Sequence, residues 1–153
     1  MAQTALSCGK DRGRGMRIEI LEEANPVGAD EITAGLRAHM IERTGALPWI
    51  PVTLLVRDDD DRVRGGIRGQ IALCWLQVDQ FWVDESCRGQ GYGSRLLGLA
   101  EDAARKHGAI GAQLTTSTFQ AVGFHEKLGY AEIGRLKDRP PGHDRIWMAK
   151  RWS

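Results

Sequence analysis

The fold of this chain is decided by one stretch, Phe81-Trp82-Val83-Asp84-Glu85-Ser86-Cys87-Arg88-Gly89-Gln90-Gly91-Tyr92-Gly93-Ser94-Arg95-Leu96-Leu97. It begins with bulky residues that favour a β-strand. It continues through a turn in which Gly89, Gly91 and Gly93 alternate with other residues. The helix predicted after this turn has one apolar face, made of Leu96, Leu97, Ala100, Ala103 and Ala104. The sequence therefore predicts a strand, a glycine-rich loop and a helix in direct succession.

Such a succession can form a binding site for an anion. The first backbone N–H groups of a helix have no intrahelical partner and carry partial positive charge, so they bind phosphate. Glycines let the backbone approach a ligand closely, and Arg88 places a cation beside them. The alternative is an ordinary strand-to-helix turn whose glycines serve packing.

Spacing excludes two other classes of glycine loop. A P-loop requires Gly-Lys-Ser/Thr, whereas Gly93 is followed by Ser94 and Arg95. A dinucleotide-binding loop requires G-x-G-x-x-G, whereas Gly89, Gly91 and Gly93 give G-x-G-x-G. In addition, no acidic residue follows a second strand at the distance that such a loop requires.

The pattern that fits is R-x-x-G-x-G, formed by Arg88, Gly91 and Gly93. It resembles the pyrophosphate-binding signature of the GNAT superfamily, the acetyl-CoA-dependent N-acetyltransferases. Residues 119–130, Phe-Gln-Ala-Val-Gly-Phe-His-Glu-Lys-Leu-Gly-Tyr, resemble the late F-Y-E-K-L-G-F segment of the same superfamily. The two stretches occur in the superfamily's order, and the resemblance extends over most of residues 16–152.

This resemblance implies an enzyme that transfers an acetyl group from acetyl-CoA to a primary amine of a small molecule, by direct attack in a ternary complex. Two alternatives stay open: a protein acetyltransferase acting on lysine or an N-terminus, and a non-catalytic acyl-CoA-binding module. The implied fold is α/β, with a central mixed, mostly antiparallel twisted sheet flanked by helices. No metal is expected.

The resemblance also assigns a cofactor site. The backbone of Phe81, Trp82 and Val83 is expected to pair with the pantetheine arm of acetyl-CoA as if it were an added strand. The other expected cofactor contacts are Arg88, Gly89, Gln90, Gly91, Tyr92, Gly93, Ser94, Phe119 and Phe124.

Catalytic roles follow from the same match. The N–H of Val83 is the expected oxyanion donor. His125 stands where the superfamily often has a tyrosine that protonates the thiolate; it could donate a proton when charged, or it could be a surface histidine on a helix. Asp79 and Glu85 are candidates for a general base acting through water, and ordinary solvated acids are the alternative. Strand alternation is expected to put Asp79 on one face with Phe81 and Val83.

Bulk properties limit the other possibilities. A chain of 153 residues fits one domain, expected over residues 16–153 after a tail at residues 1–15. Its net charge of +1 attracts neither nucleic acid nor an anionic membrane, and no run of about 18 apolar residues could span a bilayer. Cys8, Cys74 and Cys87 match no zinc or disulfide pattern, which favours a reducing cytoplasm. Homodimerisation, common in the superfamily, stays open.

The remaining elements are predicted from local patterns. Strands are expected at residues 16–21, 51–57, 65–75, 76–83, 110–115, 130–136 and 145–152. A first helix is expected to be capped by Asp30 and to end at Gly45. A later helix, at residues 118–128, is expected to follow a Ser117–Gln120 capping box and to bury Ala121, Phe124 and Leu128. The acid run at residues 58–61 is interpreted as a hairpin turn rather than a calcium site.

Overall fold

The computed structural model describes residues 17–152, which divide into two compact units on either side of the Gly45–Ala46 bond. The first unit contains one helix, α1 (Ala29–Thr44). The second unit contains the sheet and the other helices. The predicted tail at residues 1–15, with Cys8, lies outside the described residues, and the single domain over residues 16–153 stays a prediction.

The first unit differs from the sequence predictions at its beginning. Helix α1 starts after Gly28, which adopts a φ of 95°, so the predicted capping by Asp30 is wrong. Asp30 lies instead in the first turn, where its charge complements the helix dipole. The strand predicted at residues 16–21 is also wrong, because the described residues 17–23 form no strand. Alternation alone does not stabilise an extended segment that lacks a hydrogen-bonded neighbour.

The second unit is built on a six-stranded sheet in the order β1-β2-β3-β4-β6-β5. Its strands are β1 (Trp49–Arg57), β2 (Val63–Ala72), β3 (Trp75–Val83), β4 (Gly111–Ser117), β5 (Ala131–Leu136) and β6 (Arg145–Arg151). Strands β3 and β4 are parallel, and the other pairings described are antiparallel. The predicted mixed, mostly antiparallel sheet of an α/β fold is confirmed.

Two helices accompany the sheet, α2 (Tyr92–Lys106) and α3 (Val122–Lys127). Helix α2 buries most of its predicted apolar face in the core, with Ala103 only half-buried. The core that it joins includes Ile67, Ile71, Leu76, Val78, Ala112, Leu114, Ile146 and Met148. This packing fixes the first turn of α2 beside the end of β3.

A charged cluster, defined here as Glu101, Arg105, Tyr130 and Lys150, connects α2 to β6 and to the residue before β5. The Glu101 carboxylate is only 4% exposed and was not predicted to be buried. It accepts hydrogen bonds from Tyr130 Oη at 3.0 Å and Lys150 Nζ at 2.8 Å, and Arg105 lies 3.3 Å away. Burial raises the pKa of Tyr130, and the negative charge of Glu101 raises it further. The Tyr130 hydroxyl therefore remains a donor. The cluster therefore satisfies its buried charge.

Of two turns between strands, one was predicted from the local sequence and the other was not. The acid run is a turn as predicted, since Asp58 Oδ1 accepts the N–H groups of Asp60 and Arg62 at 3.0 and 2.9 Å. The β2–β3 turn was missed, so the strand predicted at residues 65–75 is too long. Leu73 and Cys74 turn the chain with φ values of 51° and 63°. Such two-residue hairpins usually contain Asn or Gly, and this pair gives no such signal.

Helix α3 begins later than predicted, at Val122 rather than residue 118. Ser117 stays in β4, and the N–H of Thr118 donates to the Asp144 carbonyl at 3.0 Å. One half of the predicted capping box forms, because Gln120 Oε1 accepts the Ser117 N–H at 3.0 Å. The later start changes the buried face: Ala121 is exposed, Phe124 and Leu128 are half-buried, and His125 is buried.

Candidate active site

A cleft opens where β3 and β4 separate. Their parallel pairing ends at Val78 and Leu114, although both strands continue. Beyond that point β3 contains a bulge: Gly69 pairs with Val78 and Arg68 with Gln80, which leaves Asp79 without an opposite residue. Bulges bend a strand. The resulting cleft has a volume of about 1240 Å³.

Most of the predicted site residues line this cleft. They are Asp79, Phe81, Trp82, Val83, Arg88, Gly89, Gly91, Tyr92, Gly93, Ser94, Phe119, Phe124 and His125. Glu85 and Gln90 do not line the cleft, and their predicted roles stay predictions. Glu85 is exposed in a 3-10 turn, and Gln90 Nε2 donates to the Ser86 carbonyl at 2.9 Å.

The edge of β3 that faces the cleft carries outward-pointing backbone groups. In antiparallel pairs, successive residues alternately point their N–H and C=O groups toward the neighbouring strand and away from it. The Asp84 N–H donates to the Arg64 carbonyl of β2 at 2.7 Å. By this alternation, Phe81 and Val83 point away from β2, toward the strand that has separated. An extended ligand can pair with such an edge.

The glycine loop presents the first turn of α2 to the same cleft. Gly89 and Gly91 have φ values of 73° and 83°, which favour glycine, and Gly91 forms the N-cap of α2. Among residues 17–152, no side chain caps this helix, so its first N–H groups are available to a ligand. Arg88 Nε donates to the Val83 carbonyl at 3.1 Å, which holds the guanidinium at the rim.

Gly93 leaves room for two aromatic rings beside the first turn of α2. A Cβ at this position would lie 3.2 Å from Cζ of Phe124 and 3.6 Å from Cζ of Phe81. The rings of Phe81 and Phe124 pack with centroids 5.9 Å apart. The absence of a side chain at Gly93 therefore accommodates these rings, and the contact of its backbone with a cofactor stays a prediction.

His125 lies among these rings and is only 6% exposed, so it is not a surface histidine. Its ring centroid is 5.1 Å from that of Phe124 and 6.0 Å from those of Phe81 and Tyr130. Burial lowers the pKa of His125 from its ordinary value of 6.5, which favours the neutral imidazole over the predicted charged donor. Its Nδ1 is buried and has no hydrogen-bond partner among the described residues.

Asp79 lines the cleft, but the predicted reason for its position is wrong. Leu76 and Val78 are buried, and after the bulge the partly buried positions are Phe81 and Val83. Because of this one-residue shift, Asp79 does not share a face of the strand with Phe81 and Val83. Its Oδ1 accepts a hydrogen bond from Gln77 Nε2 at 2.7 Å.

Comparison with known proteins identifies the family. Residues 18–130 match the model of the Acetyltransferase (GNAT) family. The chain belongs to this family. The match includes α1, the glycine loop, α2 and the cleft residues up to Tyr130.

Individual relatives of this acetyltransferase agree with that result. A crystal structure of an acetyltransferase from Bacillus cereus has a TM-score of 0.77 and 31% identity, covering 88% of this chain and 98% of its own. A blasticidin-S acetyltransferase from Streptomyces morookaense is 38% identical over 117 residues, which are 74% of this chain and 85% of its own. A peptidyl-lysine N-acetyltransferase from Salmonella typhimurium is 32% identical over 107 residues, 69% of this chain and 68% of its own.

Sequence reasoning missed the cleft residues of the acetyltransferase that come from β4 and β6. Thr115, Thr116 and Arg145 line the cleft, and an Arg145 Nη2 hydrogen bond to Thr115 Oγ1 joins two of them. No local pattern marks these residues, because only strand pairing across the sheet brings them to the separation point.

Two further properties concern the described part of the acetyltransferase. Within residues 17–152, no helix is long and apolar enough to cross a membrane. The same residues contain no group of three or more His, Cys, Asp or Glu side chains that could hold a metal ion.

Proposed function

We propose that this GNAT acetyltransferase transfers the acetyl group of acetyl-CoA to a primary amine of a small molecule. The observation that carries the proposal is the shared cleft. One side is the outward-pointing edge of β3 at Phe81 and Val83, and the other is the uncapped first turn of α2 after Gly91. The first suits the extended amide arm of coenzyme A, and the second suits its diphosphate.

Acetyl-CoA supplies the acyl group as a thioester. The proposed site holds the pantetheine arm along Phe81 and Val83, and the diphosphate at the N–H groups from Gly91 onward. Arg88 provides a cation at the rim, with its Nε held by the Val83 carbonyl. Positioning of the acyl carbon beside an amine supplies the effective concentration that the transfer needs.

The reaction forms a C–N bond and breaks the thioester C–S bond, while the amine loses a proton and the leaving sulfur gains one. The N–H of Val83 is the proposed oxyanion donor. The N–H of Phe81 points in the same direction, so it is a second donor at this edge. Asp79 is the proposed acceptor of the amine proton through water.

His125 is proposed as a neutral donor to the departing sulfur. An enclosed N–H without a partner is rarer in proteins than an unsatisfied acceptor. The tautomer with its proton on Nε2 therefore fits the buried Nδ1. In this state His125 replaces the neutral hydroxyl of the tyrosine that the superfamily often has here.

The relatives support two acceptor classes unequally. The likeness to the blasticidin-S acetyltransferase supports a small-molecule acceptor, and at 38% its identity to this chain is the higher of the two. The peptidyl-lysine N-acetyltransferase, at 32%, makes a protein lysine the second candidate. The free thiols of Cys74 and Cys87 fit the reducing cytoplasm that we propose as the location.

Thiol release from acetyl-CoA, measured with a panel of small amines and lysine peptides, tests the proposal. We expect release that depends on a small amine. Arg88→Glu should weaken acetyl-CoA binding strongly, because it places like charge against phosphate, whereas Lys106→Glu at the exposed far end of α2 should not. Absence of release with every amine, or equal binding by both variants, would contradict the proposal.

A further inference from the structure

The inner end of the cleft, where β3 and β4 begin to separate, has a polar side that the proposed cofactor contacts do not use. Directly opposed residues of neighbouring strands share a face. Gln77 pairs with Gln113 one step before the separation point, so their side chains lie on one face. Two residues further along each strand come Asp79 and Thr115, the next positions on that face.

Strand β6 adds a cation to this face. Arg145 pairs with Ser117 of β4, which shares the face of Thr115 by alternation. The Arg145 side chain reaches back to donate a hydrogen bond to Thr115 Oγ1. Arg145 is half-buried and lines the cleft. A guanidinium has five N–H donors, so most of them remain for a ligand.

The two opposite charges at this end do not pair. Among residues 17–152, no carboxylate lies within 4.0 Å of the Arg145 guanidinium, and no cationic side chain lies within 4.0 Å of the Asp79 carboxylate. The neighbouring Asp144 pairs with Arg135 at 2.9 Å instead. A half-buried guanidinium without an anion is costly unless a ligand supplies one.

We infer that the acceptor is an amino acid or another small amine that carries a carboxylate. Its carboxylate binds Arg145 and its amine lies beside Asp79, at the edge where the acyl group is transferred. This inference rests on the proposed function and specifies its substrate class. Guanidinium groups bind carboxylates through two parallel hydrogen bonds, which would set the orientation of the amine.

The test compares the common α-amino acids and β-alanine with their carboxamides, which keep the amine and lose the carboxylate. We expect wild-type kcat/KM to be at least about tenfold higher for the favoured amino acid than for its carboxamide, as expected for a hydrogen-bonded charge. Arg145→Gln should abolish this preference, and Arg145→Lys should retain part of it. Arg151→Gln, which removes an exposed charge from the same strand, should keep all of it.

Binding separates this inference from the proposed function. Titration calorimetry of the same pairs against protein saturated with coenzyme A reports the carboxylate preference even where no acceptor reacts. If carboxamides bind and react as well as amino acids, or if Arg145→Gln leaves the preference intact, the inference is wrong while the acetyltransferase proposal stands. If Arg145→Gln does not fold, Arg145→Lys takes its place, and the quantity compared is the ratio of kcat/KM for the amino acid to kcat/KM for its carboxamide. A ratio of one in both wild type and Arg145→Lys would contradict the inference.

Discussion

The two halves of α2 differ in whether the polar groups on and around them have hydrogen-bond partners. Near its C-terminal half, the Glu101 carboxylate accepts three donors from the charged cluster. At its N-terminal end, no side chain of the described residues caps the helix, and Nδ1 of nearby His125 has no hydrogen-bond partner among them. Buried polar groups are normally satisfied, so an unsatisfied one suggests a role other than stability. We therefore expect the first region to contribute to stability and the second to ligand binding.

The largest effect expected is at the satisfied end. Glu101→Ala leaves Lys150 and Tyr130 without their acceptor, so we expect the free energy of unfolding to fall by about 3–5 kcal/mol. Urea denaturation measures this loss, and coenzyme A affinity should stay within about twofold. Asp102→Asn, on the exposed side of the same turn, should cost less than about 0.5 kcal/mol. A loss of cofactor affinity in folded Glu101→Ala would contradict a purely stabilising role for the charged cluster.

At the unsatisfied end, His125→Phe should affect turnover rather than folding. The ring is retained while the donor is lost, so kcat should fall by about a hundredfold with little change in acetyl-CoA affinity. His125→Tyr restores a neutral donor and should recover most of this loss. Steady-state kinetics and calorimetry measure both quantities. An unaltered kcat for His125→Phe would remove His125 from the mechanism.

Two glycines, one at the N-cap of α2 and one inside it, are expected to respond differently to alanine. Gly91 has a φ of 83°, so Gly91→Ala should lower the free energy of unfolding by about 1–2 kcal/mol and weaken coenzyme A binding. Gly98 lies inside α2 with open space around its missing Cβ, so Gly98→Ala should stabilise by about 0.5–1 kcal/mol. Thermal unfolding with and without coenzyme A measures both. Equal shifts in the two variants would contradict the special role of the first turn.

The smallest effect expected is a pH dependence. Because burial lowers the pKa of His125 in the folded state, the unfolded chain binds more protons between that lowered pKa and 6.5. Stability should therefore fall as pH drops below 6.5, by at most about 1.4 kcal/mol per pH unit, and be flat above it for this group. Denaturation of wild type and His125→Phe between pH 5 and 8 isolates the contribution. A slope shared by both proteins would assign it to other groups.

Local signals were sufficient for the strand, the glycine loop and α2, because Gly89, Gly91 and the apolar period of the helix act within a few residues. They were not sufficient for the bulge at Asp79, which depends on the pairing of β3 with β2. Burial of His125 depends on where α3 begins, which the Asp144 carbonyl helps to set. Arg145 reaches the cleft only through the order of strands in the sheet.

The proposed coenzyme A site consists of the outward edge of β3 and the first turn of α2. Amide chemical shifts of the ¹⁵N-labelled protein during a coenzyme A titration would locate the bound coenzyme A residue by residue. We expect the largest changes at the N–H groups of Phe81, Val83 and Gly91 to Ser94, and little change around Glu101. Saturable binding that leaves those amides unmoved and shifts another surface would contradict it.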